Sequence, residues 1–301
     1  MSREAFSVPA GISQGGANAA STEVLLSCVT SAKPSVLALD FDGVIWDTQR
    51  ECYMTAQEVW YDRFGRWAQC PEQLFLSGRW LARRGEEFAL ILEIGETMCL
   101  EVAPEAPKLS DHSLKPWCKD DWPAPMIRLS LQDYSLPLFM ELSRKKSQTL
   151  AESGRQLVEK RIFLREEHTR EWMDCQGPFP GVREAISKLA EKFNYLSICT
   201  TKDKASALAL LRTIDLQLPI ISKEYSLDKR QQLQHLAEIT QVSPTQIMFV
   251  DDVLDNLKSA QELGVRPVLA AWGYNSQASR QEAAALGFPV ISSLKALQGL
   301  I

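Results

Sequence analysis

The sequence predicts an α/β protein built on a doubly wound parallel sheet, with a long helical segment inserted after its first strand. Three observations support this. Short apolar runs of four or five residues recur without polar alternation, which is how strands buried on both faces read. Between them lie segments with apolar residues three and four apart. One interval, residues 48–177, breaks this rhythm with helical patterns alone.

Residues 1–34, rich in Ser, Ala and Gly and lacking periodicity, are expected to form a disordered arm. Frequent Ser and few acids would suit a transit peptide, but Arg3 is the only arginine there, so a cytoplasmic location is the expectation and organellar import the weaker one. Order should begin at Val36-Leu37-Ala38-Leu39, a strand that ends abruptly in Asp40-Phe41-Asp42-Gly43. Later strands are expected at Tyr195–Cys199, Ile247–Val250, Pro267–Ala270 and Pro289–Ile291, with a shorter one at Leu218–Ile221. Helices are expected from Val182 to Phe193 behind a Pro-Phe-Pro-Gly turn, and around Leu208–Ile214 and Leu233–Ile239. Another runs from Leu257 to Leu263, stopped by Gly264. Alternation of this kind implies a parallel sheet that binds ligands beyond the carboxyl ends of its strands.

In the interval 48–177 the patterns read as helices over Tyr53–Phe64, Phe88–Met98 and Leu138–Met173, around a Pro/Trp-rich stretch at 104–125. The simplest organisation is a core of 35–47 and 178–301 with a helical cap of 48–177 over the exit of the first strand. The mixed-sign run Arg161–Arg170 reads as a solvated helix face.

Composition excludes several classes. A net charge of −5 gives no nucleic-acid footprint. No apolar run approaches the ~18 residues of a membrane span. Seven cysteines without a C-x-x-C pair suit a reducing compartment, and three scattered histidines argue against a histidine metal site.

Chemistry concentrates at strand ends. Spacing of two puts Asp40 and Asp42 on one side of an extended chain, and Gly43 lets the backbone turn away. Carboxylates so close repel, which a hard divalent cation, most plausibly Mg2+, would relieve. A second cluster, Asp251-Asp252-Val-Leu-Asp255-Asn256, follows another buried strand. Helix capping accounts for one of these acids, not for the group. Thr200-Thr201 follows the strand ending at Cys199, and Lys229 opens the helix before the Asp251 strand.

Together these residues resemble the haloacid dehalogenase-like hydrolase superfamily, in its phosphatase branch with a helical cap between motifs I and II, on a Rossmannoid core. Motif I, D-x-D-G-[VT], matches Asp40 to Val44; motif II matches Ile198-Cys199-Thr200; motif III, a lysine, matches Lys229, with Lys223 nearby as the other choice. Motif IV, D-D-x-x-x-N, matches Asp251 to Asn256. The resemblance implies an aspartyl-phosphate formed on Asp40, with Asp42 as general acid and then base. It implies that Lys229 and Thr200 hold Asp40 and the phosphoryl oxygens. Mg2+ would bind Asp40, the Asp42 carbonyl and Asp252, with Asp251 or Asn256 directly or through water. Substrate contacts are expected from Thr200, Thr201 and Gly43. From the cap, Arg84 is expected as an anion contact, among Arg79, Arg83 and Arg84 near Gly85. Trp272-Gly273-Tyr274-Asn275 is a stretch that lines the entrance or only packs. Carbon–halogen cleaving relatives lack the second Asp, so Asp42 points to phosphoryl chemistry, and the resemblance implies a small phosphorylated metabolite as partner, met by a monomer or homodimer. A phosphomutase, or a non-catalytic binding protein on this scaffold, is the alternative.

Overall fold

The computed structural model describes residues 34–106, 115–118 and 122–301. The expected disordered arm, apart from Pro34, and part of the Pro/Trp stretch lie outside the described residues. Six parallel strands form the sheet: β1 (Val36–Leu39), β4 (Tyr195–Cys199), β5 (Ile220–Ile221), β6 (Ile247–Asp251), β7 (Arg266–Ala270) and β8 (Val290–Ile291), in the order β5-β4-β1-β6-β7-β8. A separate antiparallel pair, β2 (Trp46–Asp47) with β3 (Gly177–Pro178), joins the two chain crossings between sheet and insertion.

The apolar runs are strands because both faces are covered. Leu37 and Leu39 of β1 and Met248 and Val250 of β6 enter one cluster, packed under α8 (Val182–Ala190) and α9 (Lys204–Arg212). Val36, Ala38, Ile247 and Phe249 enter the cluster on the other face, under α10 (Lys229–Thr240), α11 (Leu254–Glu262) and α12 (Gln277–Ala285). Period-two alternation therefore sorts side chains between two cores, not between core and water. β1 is central, paired with β4 at Val36–Tyr195 and with β6 at Val36–Ile247. The ends of β1, β4 and β6 thus lie side by side at one rim.

Between β2 and β3 the described residues hold α1 (Gln49–Phe64), α2 (Glu72–Gly78), α3 (Phe88–Val102), α4 (Ala124–Ile127), α5 (Leu136–Lys145), α6 (Ser147–Glu167) and α7 (Thr169–Asp174), and no strand of the parallel sheet. They share a core of their own around Tyr53, Phe75, Phe88, Ile91 and Phe139. Trp117, in the described part of the Pro/Trp stretch, packs on it edge-on to Trp67 at 5.4 Å.

Two expectations need correction here. The pattern Leu138–Met173 is three helices, because the backbone leaves helical geometry at Lys146 and His168. Nor is the run Arg161–Arg170 simply a solvated face. Arg161 turns inward to Glu51 through two hydrogen bonds of 2.7 and 2.6 Å, and Arg165 bonds Asp203 at 2.8 Å. Charge there faces charge on other elements, which the local pattern does not contain.

Candidate active site

The motif at the end of β1 is locked by its own backbone. Asp40 N–H donates to Val250 O, Gly43 N–H to Trp46 O, and the amides of Ile45 and Trp46 to Phe41 O. Gly43 sits at φ 83°, and a Cβ there would lie 2.3 Å from Asp252 Oδ2. Only glycine lets the turn approach Asp252 this closely.

Lys229, the first residue of α10, is buried and reaches across the rim. Its Nζ donates to Asp40 Oδ1 at 2.7 Å and to Cys199 O at 2.5 Å, and lies 3.7 Å from Asp251 Oδ2. Burial alone would lower its pKa, but Asp40 and Asp251 raise it above the usual lysine value, so it stays charged. Lys223 instead donates its backbone N–H to Lys202 O, in the loop before α10.

Asp40, Asp251 and Asp252 are all buried, and each offers a carboxylate oxygen within 4.8 Å of the others. Asp251 accepts from Val253 N–H and from Asn256 Nδ2, and Asp252 accepts from Tyr274 N–H at 2.5 Å. Burial, and then the nearby Asp40 charge, push the Asp251 carboxyl well above the usual range and that of Asp252 up to about 7. Lys229 beside Asp40 and Asp251, and Arg79 acting on Asp252, set two positive charges against three buried carboxylates. An all-oxygen set with surplus negative charge suits a hard divalent cation such as Mg2+.

The Asp42 carboxylate faces another way. Its Oδ1 lies 3.3 Å from Lys202 Nζ, an ion pair without hydrogen-bond geometry. Thr200 is buried, with its hydroxyl oxygen accepting from Lys202 N–H, while Thr201 is exposed.

The structure thus brings Asp40, Asp42, Gly43, Thr200, Lys229, Asp251, Asp252 and Asn256 to one rim. It leaves Thr201 in solvent. Arg84 is also exposed and pairs with Glu86. The insertion's inward cation near the cluster is Arg79, held between the rings of Phe88 at 4.7 Å and Tyr274 at 4.6 Å. Its Nε is buried without a hydrogen-bond partner, and Asp252 and Asp42 both act on its charge. Arg83 reaches Asp255 at 3.2 Å.

Sequence reading assigned no role to Lys202, although it continues the Thr200-Thr201 run, or to the Glu51–Arg161 pair. It left Gly273-Tyr274 open between entrance and packing. A Cβ at Gly273 would lie 2.3 Å from Asp252 Cβ, so this loop is pressed against the cluster.

The model of the haloacid dehalogenase-like hydrolases matches residues 34–264, and the chain belongs to that family. No curated protein matches it. Among solved structures it is similar to a chain from Bacteroides fragilis named for the same hydrolases, at TM-score 0.57 and 15% identity over 88% of this chain and 100% of that one. A haloacid dehalogenase-like family protein from Streptococcus pneumoniae gives 0.53 and 14%, over 90% and 100%. A predicted phosphoglycolate phosphatase from Haemophilus somnus gives 0.53 and 14%, over 88% and 97%. At these identities the likeness is one of fold. Among the described residues no helix is long and apolar enough to cross a membrane.

Proposed function

We propose that this chain is a magnesium-dependent phosphohydrolase that cleaves a small phosphate monoester, with Asp40 as nucleophile and Asp42 as general acid/base. One observation carries the reading: two carboxylates two residues apart are given different surroundings. Asp40 lies in the Asp251–Asp252 cluster against Lys229, and Asp42 lies outside it beside Lys202.

Lys229 orients the Asp40 carboxylate through its 2.7 Å hydrogen bond, as a carboxylate nucleophile needs. Attack on phosphorus forms the Asp40–phosphate bond and breaks the ester bond, and Asp42 delivers a proton to the departing oxygen. Asp42 then takes a proton from the water that hydrolyses the aspartyl-phosphate. Thr200 and Lys229 offer donors to the phosphoryl oxygens, offsetting their charge as it develops. Asp40, Asp251 and Asp252 would hold the magnesium ion, with Asn256 steadying Asp251. When bound, the ion supplies charge neutralisation and Lewis acidity at the phosphoryl group.

The insertion is read as a cap that excludes water and selects the substrate. Arg79 takes the place first given to Arg84, because its guanidinium lies over the Tyr274 ring with its Nε buried, whereas Arg84 is exposed. The phosphatase name carried by the Haemophilus somnus chain agrees with this reading at the level of reaction class.

The test is a panel of phosphate monoesters assayed for released phosphate with magnesium and with excess chelator. Turnover should require magnesium, and calcium should inhibit, because its looser shell misplaces the nucleophile. Full turnover in chelator, or labelled phosphate transferred to a sugar instead of water, would overturn the assignment.

A further inference from the structure

Tyr274 is tied to two distant parts of the site at once. Its backbone N–H donates to Asp252 Oδ2 at 2.5 Å. Its phenol oxygen accepts from Thr48 N–H at 2.7 Å and lies 3.2 Å from Asp47 Oδ1, to which the phenol proton can go. Asp47 and Thr48 are where the chain leaves β2 and enters α1, the first crossing into the helical insertion.

The bond to Thr48 replaces one that the local sequence would otherwise make. Thr48-x-x-Glu51 has capping-box spacing, in which the glutamate reaches back to the N-cap amide. Here Thr48 is the N-cap without a side-chain cap, and the Glu51 carboxylate is taken by Arg161 and Thr55. The Thr48 amide is buried and needs another acceptor. The phenol of Tyr274, from the far side of the sequence, supplies it.

The tether is stiff at both ends. Gly273, just before it, packs against Asp252 Cβ and Gly43 O so closely that a Cβ would not fit. The ring is buried, and Arg79 of the insertion lies over it at 4.6 Å. Burial, with Asp47 and Asp42 nearby, raises the phenol pKa well above its ordinary value, so the hydroxyl stays neutral.

We propose that Tyr274 is a positioning residue that couples the seating of the insertion to the placement of the Asp252 carboxylate. Displacement of α1 from its entry position pulls on the phenol, and the shift reaches Asp252 through the Tyr274 side chain, its Cα and its backbone N–H. Conversely, loss of the Asp252 anchor frees the loop that holds Thr48. The coupling concerns the protein alone and stands whether or not the phosphohydrolase reading holds.

The experiment is amide hydrogen exchange over the peptide containing Trp46–Cys52 in the full chain, for wild type, Tyr274→Phe, Asp252→Ala and the double variant, without metal. Tyr274→Phe keeps the ring under Arg79 and the backbone N–H, and removes only the hydroxyl, which accepts from Thr48 N–H and can donate to Asp47. Each single variant should speed exchange at this segment about five- to tenfold, the size set by losing one buried hydrogen bond. The double variant should add little to either single, because both break one linkage. Unchanged exchange in either single variant, or effects that multiply in the double, would overturn the proposal. Should Asp252→Ala fail to fold, Asp252→Val, which also lacks an acceptor for the Tyr274 N–H, completes the cycle with the same expected pattern. Phosphate release, measured separately, reports on the reaction and leaves this readout unmoved.

Discussion

The parallel core buries its charges at strand ends, and the helical insertion buries its charges along helices. At the rim of β1 and β6, the buried Asp40 and Asp251 share Lys229, with the buried Asp252 beside them. In the insertion, Glu51 is matched by Arg161 through two hydrogen bonds, and Glu96 by Arg66 in the same way. Burial alone would raise the Glu51 carboxyl, but Arg161 and then Lys202 hold it below its usual value. Asp251 and Asp252 are raised instead. The difference teaches how to read buried charge. A bidentate pair with charges in balance is a structural joint, whereas a cluster with surplus negative charge is held at a cost by the fold and is suited to a cation.

The sharpest test of the contrast is Asp40→Asn. Turnover on every monoester should fall to background with the fold retained, checked by phosphate release and circular dichroism. Residual aspartyl-phosphate burst would move the nucleophile elsewhere.

Asp42→Asn should cost about 10²–10⁴-fold on alkyl phosphates. With an aryl phosphate, whose leaving oxygen needs little protonation, it should still show a pre-steady-state burst. Equal losses on both ester types would remove Asp42 as the acid.

In the insertion, Arg161→Met leaves Glu51 buried and unpaired, and should lower stability by about 3–5 kcal/mol in denaturant unfolding. Adding Glu51→Leu should recover most of that loss. If the double variant is as unstable as the single, the pair is not the structural joint described above.

A pH dependence separates the two kinds of site. Asp252 has a folded pKa of about 7, above its unfolded value, so the folded state binds the proton more tightly. That contribution is fully present at low pH and is lost as pH rises through about 7. The melting temperature in chelator should therefore fall between about pH 4 and 7, and magnesium should flatten the decline. A flat profile in chelator would mean the cluster is not strained as drawn.

The smallest effect belongs to Arg83→Ala. Its partner Asp255 is largely exposed, so the strap should contribute at most about 1 kcal/mol. A larger change in stability would show that the insertion leans on this contact more than its exposure allows.

Legibility followed the same divide. β1, β4, β6 and β7 matched the apolar runs to within a residue or two, because a strand buried on both faces leaves no polar position to blur it. Asp40, Asp251 and Lys229 were legible because acids and a lysine at the ends of such runs have few structural uses. Helix α12, short and Ala-rich with only Ala283 buried, had no pattern to find. Arg84 was favoured over Arg79 because spacing places arginines on a helix, not on its inward side.

The amino-acid sequence by itself determined the alternating core, the place of the insertion and the residue types at the rim, since these depend on short-range periodicity and on the chemistry of adjacent residues. Tertiary structure alone decided that Asp42 meets Lys202 and that Glu51 meets Arg161. It also turned Arg79 onto the ring of Tyr274 and brought that phenol to Thr48. The reason is physical. Coulomb energy and hydrogen bonding act over a few ångströms of space, and a chain that folds back on itself sets those distances without regard to separation along the sequence.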